Sequence, residues 1–265
     1  MPRGSRCPLR KAGSRFVNKR GDWLTVTGDV DWDKVSVVFD SGTTGEIAYQ
    51  HLRAGNFKDW LKPSQHGVGY IGKSTAGRLS DEDNKLYRKW TGMLDRCYSP
   101  DSNKRKCYES TTVCEEWHNF QTFKDWGNLQ LQARAHGWSL DKDLLSGGKG
   151  FLYCPDLCLF LPQEVNVAIV NDRLGVGRYG SIGVYFDSQS GRIASTLRRG
   201  SLSPQKAKFS TEAAAAVWYK THKEAYIKYL AAKWRNELDP RGYAALLTWE
   251  VPLTREVKEV ECQEP

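Results

Sequence analysis

The chain has 265 residues, 39 Lys and Arg against 31 Asp and Glu, a formal net charge of +8 and a pI of about 9.1. That length holds a real core and one or two domains, or three small ones, and the basic surplus suits a polyanionic partner, nucleic acid above all. No apolar run approaches the ~18 residues that span a bilayer, so no membrane partner is expected. Ten Trp and twelve Tyr are a heavy aromatic load for so polar a chain; core packing and stacking on bases both use such residues.

Arg3, Arg6, Arg10, Lys11, Arg15, Lys19 and Arg20 crowd residues 1–22 with no apolar block behind them. This is not a secretory leader but a basic arm, which either tracks phosphates or keeps the chain soluble. Residues 23–79 read as a small β-rich module. Val35–Phe39 is a β-branched run, Gly42 and Gly45 bracket a turn, and Ile47–Leu52 forms the returning strand. The glycines of Gly67-Val68-Gly69-Tyr70-Ile71-Gly72 serve tight turns, since the segment lacks the spacing of a phosphate loop.

Residues 80–172 form the expected central domain. Ser80 caps a helix with Asp83 at its third position, and Leu86, Trp90 and Met93 or Leu94 recur at helical spacing. After a polar loop from Ser99 to Lys106, Val113, Trp117, Phe120 and Phe123–Trp126 predict a second helix with an aromatic face turned to the core. Gly137–Asn166 reads as strand, glycine turn (Gly147–Gly150), strand (Leu159–Leu161) and helix, with Pro162 at an early helical position. Residues 173–248 then give strands at Ile182–Tyr185, Arg192–Leu197 and Lys206–Phe209 and an alanine-rich helix after Ser210-Thr211-Glu212. Residues 249–265 are a peripheral tail. The fold class is α+β: a multi-module protein with a ββα centre and a C-terminal three-stranded sheet packed on a helix.

Seven cysteines are scattered without tight pairing. Cys97, Cys107, Cys114 and Cys158 are conceivable ligands of a tetrahedral zinc, but free buried thiols are the ordinary state in an intracellular protein, and no zinc is expected.

Four segments occur in a recognisable order: Arg96-Cys97-Tyr98, Val113–Phe120, Leu140-Asp141-Lys142-Asp143, and Tyr153-Cys154-Pro155-Asp156-Leu157-Cys158. Their order and spacing resemble phage-encoded HNH homing endonucleases and their degenerate relatives. In that family the histidine that activates water often follows the first aspartate; the matching position here is Lys142. The family's middle asparagine falls on Leu157, and the helix residue that completes its metal site falls near Asn166.

The resemblance implies Mg²⁺-assisted nicking of DNA. On a regular strand Asp141 and Asp143 share one face, where two carboxylates suit Mg²⁺, with Lys142 on the other. His118 is then the best available base. Against these roles stand turn capping or ion pairing for the aspartates and a structural hydrogen bond for His118.

Gly183-Val184-Tyr185, Gly191-Arg192, Phe209–Ala214 and Trp218-Tyr219 resemble the small DNA-binding domain of plant ethylene-response factors, which phage homing endonucleases also carry. Such domains lay a three-stranded sheet in the major groove. Ile193 stands where the family has tryptophan. The resemblance makes Arg192 a candidate base reader and Arg198, Arg199, Lys206 and Lys208 candidate backbone contacts; the competing reading is a solvated charged face. The expected function is a double-stranded-DNA-binding phage protein acting in the cytoplasm of the host cell, for which metal-dependent nicking is one reading. The alternative is an inactive descendant that binds DNA or a host or phage protein.

Overall fold

The computed structural model describes residues 11–72, 79–101, 108–147, 150–169, 182–200 and 202–251. Helices and sheets alternate along the chain, which is α+β. It divides into two compact units, Met1–Cys107 with Glu115–Lys124, and Tyr108–Cys114 with Asp125–Pro265. These units cut across the expected central domain, because its first helix belongs to the first unit and its strands to the second.

In the first unit β1 (Arg15–Val17), β2 (Trp23–Asp29), β3 (Lys34–Phe39) and β4 (Thr44–Ala48) form an antiparallel sheet in chain order. Alternation sends Leu24, Val26, Val35, Val37, Phe39 and Ile47 to one face, where Leu52, Phe57 and Trp60 complete the core. Three sequence expectations are corrected. The sheet begins inside the stretch read as a basic arm, with Phe16 opposite Leu24. Ile47–Leu52 is not one strand, because β4 ends at Ala48 and α1 (Tyr49–Arg53) follows. Gly45 is not a turn residue: it pairs with Val37, and a Cβ there would lie 2.4 Å from the Trp60 ring. The turn glycine is Gly42, at φ 88°.

α2 (Asp81–Tyr98) starts where the sequence predicts, the Ser80 hydroxyl accepting a hydrogen bond from Asp83 N at 3.1 Å. Its buried stripe is Leu86, Trp90, Met93, Leu94 and Cys97. The predicted second helix is shorter than expected. Val113 lies in strand β5 (Thr112–Val113), Trp117 in a 3₁₀ turn (Glu115–His118), and the helix proper is α3 (Phe120–Asn128). A buried residue every three or four positions arises here from three different local structures.

In the second unit β5 runs parallel to β7 (Leu152–Tyr153), and β6 (Trp138–Asp141) is antiparallel to β8 (Leu159–Pro162). Pro162 ends the strand opposite Trp138, and α4 (Gln163–Ile169) begins one residue later. The three-stranded sheet β9 (Val184–Asp187), β10 (Arg192–Arg199) and β11 (Leu202–Phe209) follows, then α5 (Glu212–Lys233), capped by Thr211, and α6 (Pro240–Leu247).

The sequence reading separates this last module from the strands before it; the second unit holds both. Glu164 of α4 accepts hydrogen bonds from Lys233 Nζ (2.6 Å) and Trp234 Nε1 (3.3 Å). Trp138 meets Trp234 edge to face at 5.8 Å, and Gly242 of α6 lies against Leu159. Val251, in the expected tail, is buried, and its N–H donates to Glu224. No helix among the described residues is long and apolar enough to cross a membrane.

Candidate nucleic-acid interface

The acidic segment after β6 is a closed turn. The strand ends at Asp141, so the alternation that would place Asp141 and Asp143 on one face does not extend to Asp143. Asp141 is 7% exposed, and its Oδ1 accepts hydrogen bonds from Asp143 N (3.1 Å) and Leu144 N (2.8 Å), the geometry of an Asx turn. Lys142 turns inward rather than away. Its ammonium lies 2.6 Å from Asp143 Oδ1 and over the rings of Tyr108 and Tyr153 at 5.6 and 5.7 Å, a desolvated cation held by two aromatic faces and one carboxylate. Gly150 closes the turn, since a Cβ there would sit 2.5 Å from Lys142 O.

A divalent cation needs open oxygen ligands; here Oδ1 of Asp141 is taken by backbone N–H groups and Oδ1 of Asp143 by an ammonium.

Burial pushes the Asp141 carboxyl above its ordinary range, backbone hydrogen bonds from Leu144 and Asp143 opposing it only in part. A raised folded-state pKa means that the stabilising contribution is complete below the unfolded value and lost as pH rises through the folded one. Ionised Asp141 therefore weakens the fold at neutral pH. Asp141→Asn keeps the acceptor and removes the charge. It is expected to raise Tm at pH 7, with the gap closing on acidification. A wild type more stable than the variant at pH 7 overturns this.

His118 ends the 3₁₀ turn. Its carbonyl accepts from Tyr70 N at 2.8 Å and its ring meets Tyr98 edge on at 6.2 Å. It belongs to the first unit, Asp141 and Asp143 to the second. Asn166 is half-buried on α4. Cys97 belongs to the first unit and Cys114 and Cys158 to the second; Cys107 lies outside the described residues. Cys97, Cys114, Cys154 and Cys158 are thiols rather than disulfides, and burial raises the Cys158 thiol far above the usual range. Among the described residues no group of three or more His, Cys, Asp or Glu is placed to hold a metal.

The three-stranded sheet has two unlike faces. Ser195 pairs with Val184 and Ala207, and Ile193 with Phe186 and Phe209. This parity faces α5, where Val184, Ala215 and Ala216 pack with Ile193, Phe209 and Val217; the alanines permit the close approach. The opposite parity carries Tyr185 and Asp187 from β9, Arg192, Ala194, Thr196 and Arg198 from β10, and Lys206 and Lys208 from β11. Arg192, Arg198, Lys206 and Lys208 are all exposed.

Arg199 does not share this face. It shares the parity of Leu197 and is half-buried, its Nε enclosed and its Nη2 donating to Ser203 O at 3.3 Å.

Sequence reading missed three residues on the outer face. Tyr185 and Thr196 hydrogen-bond through their hydroxyls at 3.2 Å. Asp187 receives the Lys208 ammonium at 2.7 Å, the Ser190 hydroxyl at 2.8 Å and Gln189 N at 3.1 Å, and these donors, Lys208 first, hold its carboxyl down to about 2. Strand parity would have placed Asp187 beside Arg192 had the register been known.

No protein-family model, curated protein or solved structure matches this chain.

Proposed function

We propose that this chain is a double-stranded-DNA-binding protein of phage type, a relative of HNH homing endonucleases that acts in the host cytoplasm and grips DNA through the outer face of β9–β11. The observation that carries the reading is the sorting of charge by strand parity. Arg192, Arg198 and Lys206 project from one exposed face, where Lys208 is held by Asp187, and the other face is committed to α5. Guanidinium forks suit guanine's paired acceptors and lysines meet phosphates as point charges.

The acidic turn favours binding without cutting, because Asp141 and Asp143 already serve the turn and Lys142. Metal-dependent nicking is the second reading; it draws on the order of the four sequence segments.

Duplex affinity measured by anisotropy across a salt series tests the first reading. Each phosphate contact adds about 0.9 to the slope of log K against log salt. An Arg192→Gln/Arg198→Gln/Lys206→Gln variant is therefore expected to lose about 1.8 from the slope, for its two backbone contacts, and most of its affinity at moderate salt, whereas Arg199→Gln leaves the slope unchanged. Absence of duplex binding by the wild type at low salt, or an unchanged slope in the triple variant, refutes the interface. Supercoiled plasmid incubated with Mg²⁺, Mn²⁺ or chelator separates the two readings. Nicking that needs metal and disappears in Asp141→Ala/Asp143→Ala establishes the second.

A further inference from the structure

One carboxylate stands on the face assigned to DNA, where a polyanion meets it as a repulsive charge. Asp187 lies directly across from Arg192, and the ammonium of Lys208, which pairs with Ala194 two positions further along β10, reaches it at 2.7 Å. The acid is anchored by Ser190 Oγ and Gln189 N in the β9–β10 turn. Lys208 is the movable partner, its side chain 51% exposed against 19% for Asp187.

We propose that Asp187 is a selectivity-determining residue of this face, which neutralises Lys208 against non-specific phosphate contact and admits duplexes that display an exocyclic amino group opposite it. The proposal rests on the DNA-binding reading.

An exposed ion pair is weak by itself, but releasing Lys208 to a phosphate leaves the anchored carboxylate unpaired, so on a non-specific duplex the pair stays closed. Opening it leaves the anchored carboxylate facing the DNA. In the major groove only the amino groups of adenine and cytosine are donors able to satisfy it; the carbonyls of guanine and thymine leave it unpaired. A misplaced sequence therefore loses the Lys208 contact and meets a repulsive charge together, discrimination through an unfavourable element rather than an added attraction.

The test is the affinity of wild type, Asp187→Asn, Lys208→Gln and the double variant for a non-specific duplex over a salt series, with selection from a randomised duplex pool. Asn keeps an Oδ1 acceptor for Gln189 N, and its Nδ2 can donate to the Ser190 hydroxyl oxygen, so the turn stays closed. Asp187→Asn is expected to bind the non-specific duplex several-fold more tightly, with a slope steeper by about 0.9, one added phosphate. The selected pool should lose a preference for adenine or cytosine at one position. Lys208→Gln alone should leave the slope unchanged, and in the Asp187→Asn background it should remove the added increment.

A loss of about 0.9 in slope from Lys208→Gln alone overturns the proposal. So does an Asp187→Asn variant that remains folded and shows the wild-type slope and preference. Should Asp187→Asn fail to fold, Lys208→Gln decides by itself. A wild type with no duplex affinity instead refutes the DNA-binding reading on which the proposal stands.

Discussion

Gly183→Ala is expected to destabilise the three-stranded sheet module by roughly 2–5 kcal/mol, the sum of a left-handed backbone cost and an overpacking cost. Gly183 has φ 75°, and a Cβ there would stand 2.3 Å from two ring carbons of Tyr219. Tyr219 is only 9% exposed and lies on the buried stripe of α5, so relief requires the helix to shift. The glycine carbonyl also accepts hydrogen bonds from Thr196 N at 3.0 Å and Ser195 Oγ at 3.2 Å, and a shifted turn breaks both. Gly191 is the control: its φ is 65°, and a methyl added there would meet nothing within 4 Å. Gly191→Ala should therefore cost only the backbone part, about 1–2 kcal/mol. Urea unfolding reads both as a fall in midpoint at constant slope; equal falls would show that Tyr219 yields freely. Because α5 supports the face that carries Arg192 and Lys206, Gly183→Ala should weaken duplex binding in the same temperature range in which it melts.

The second large effect belongs to the first unit. Trp90 is fully buried, packs at 5.6 Å from Tyr87 and 5.5 Å from Phe120, and donates its indole N–H to Trp117 O at 2.7 Å. Gly69 lies against the same ring, where a Cβ would come within 2.9 Å of it. Trp90→Ala opens a cavity among rigid aromatics and is expected to cost ~3–5 kcal/mol, plus about 1–3 kcal/mol for the orphaned Trp117 carbonyl. Trp90→Phe fills much of the space but makes no hydrogen bond, so its cost should be about half as large. Loss of slow amide exchange in α2 is the readout; an alanine variant that keeps wild-type protection refutes the stabilising role of Trp90.

Both residues stand out in the sequence for different reasons. The recurrence of Leu86, Trp90, Met93 and Leu94 behind a Ser80 cap writes α2 directly, since capping and helical spacing are settled within a few residues. Gly183 is visible as part of a recognisable segment, but the Tyr219 ring that makes it necessary arrives 36 residues later in the chain. The Val113–Trp126 stretch misleads for a related reason. Val113 is buried because β5 pairs with β7, a partner local spacing cannot reveal, so one apparent helix is in fact a strand, a 3₁₀ turn and a helix. At Asp141–Asp143 the alternation rule fails because Asp141 caps the turn that ends its own strand.

The sequence by itself determined the basic balance, the capped helix α2, the α+β class and the strands and alanine-rich helix of the last module. These depend on composition and on interactions spanning a few residues. Tertiary structure alone decided that Lys142 turns inward onto Tyr108 and Tyr153, that Arg198 faces outward and Arg199 does not, and that Asp187 holds Lys208. Each depends on strand register, on the irregularity between Leu197 and Arg199 or on the face α5 covers, and a one-residue change of register exchanges the two faces of a strand.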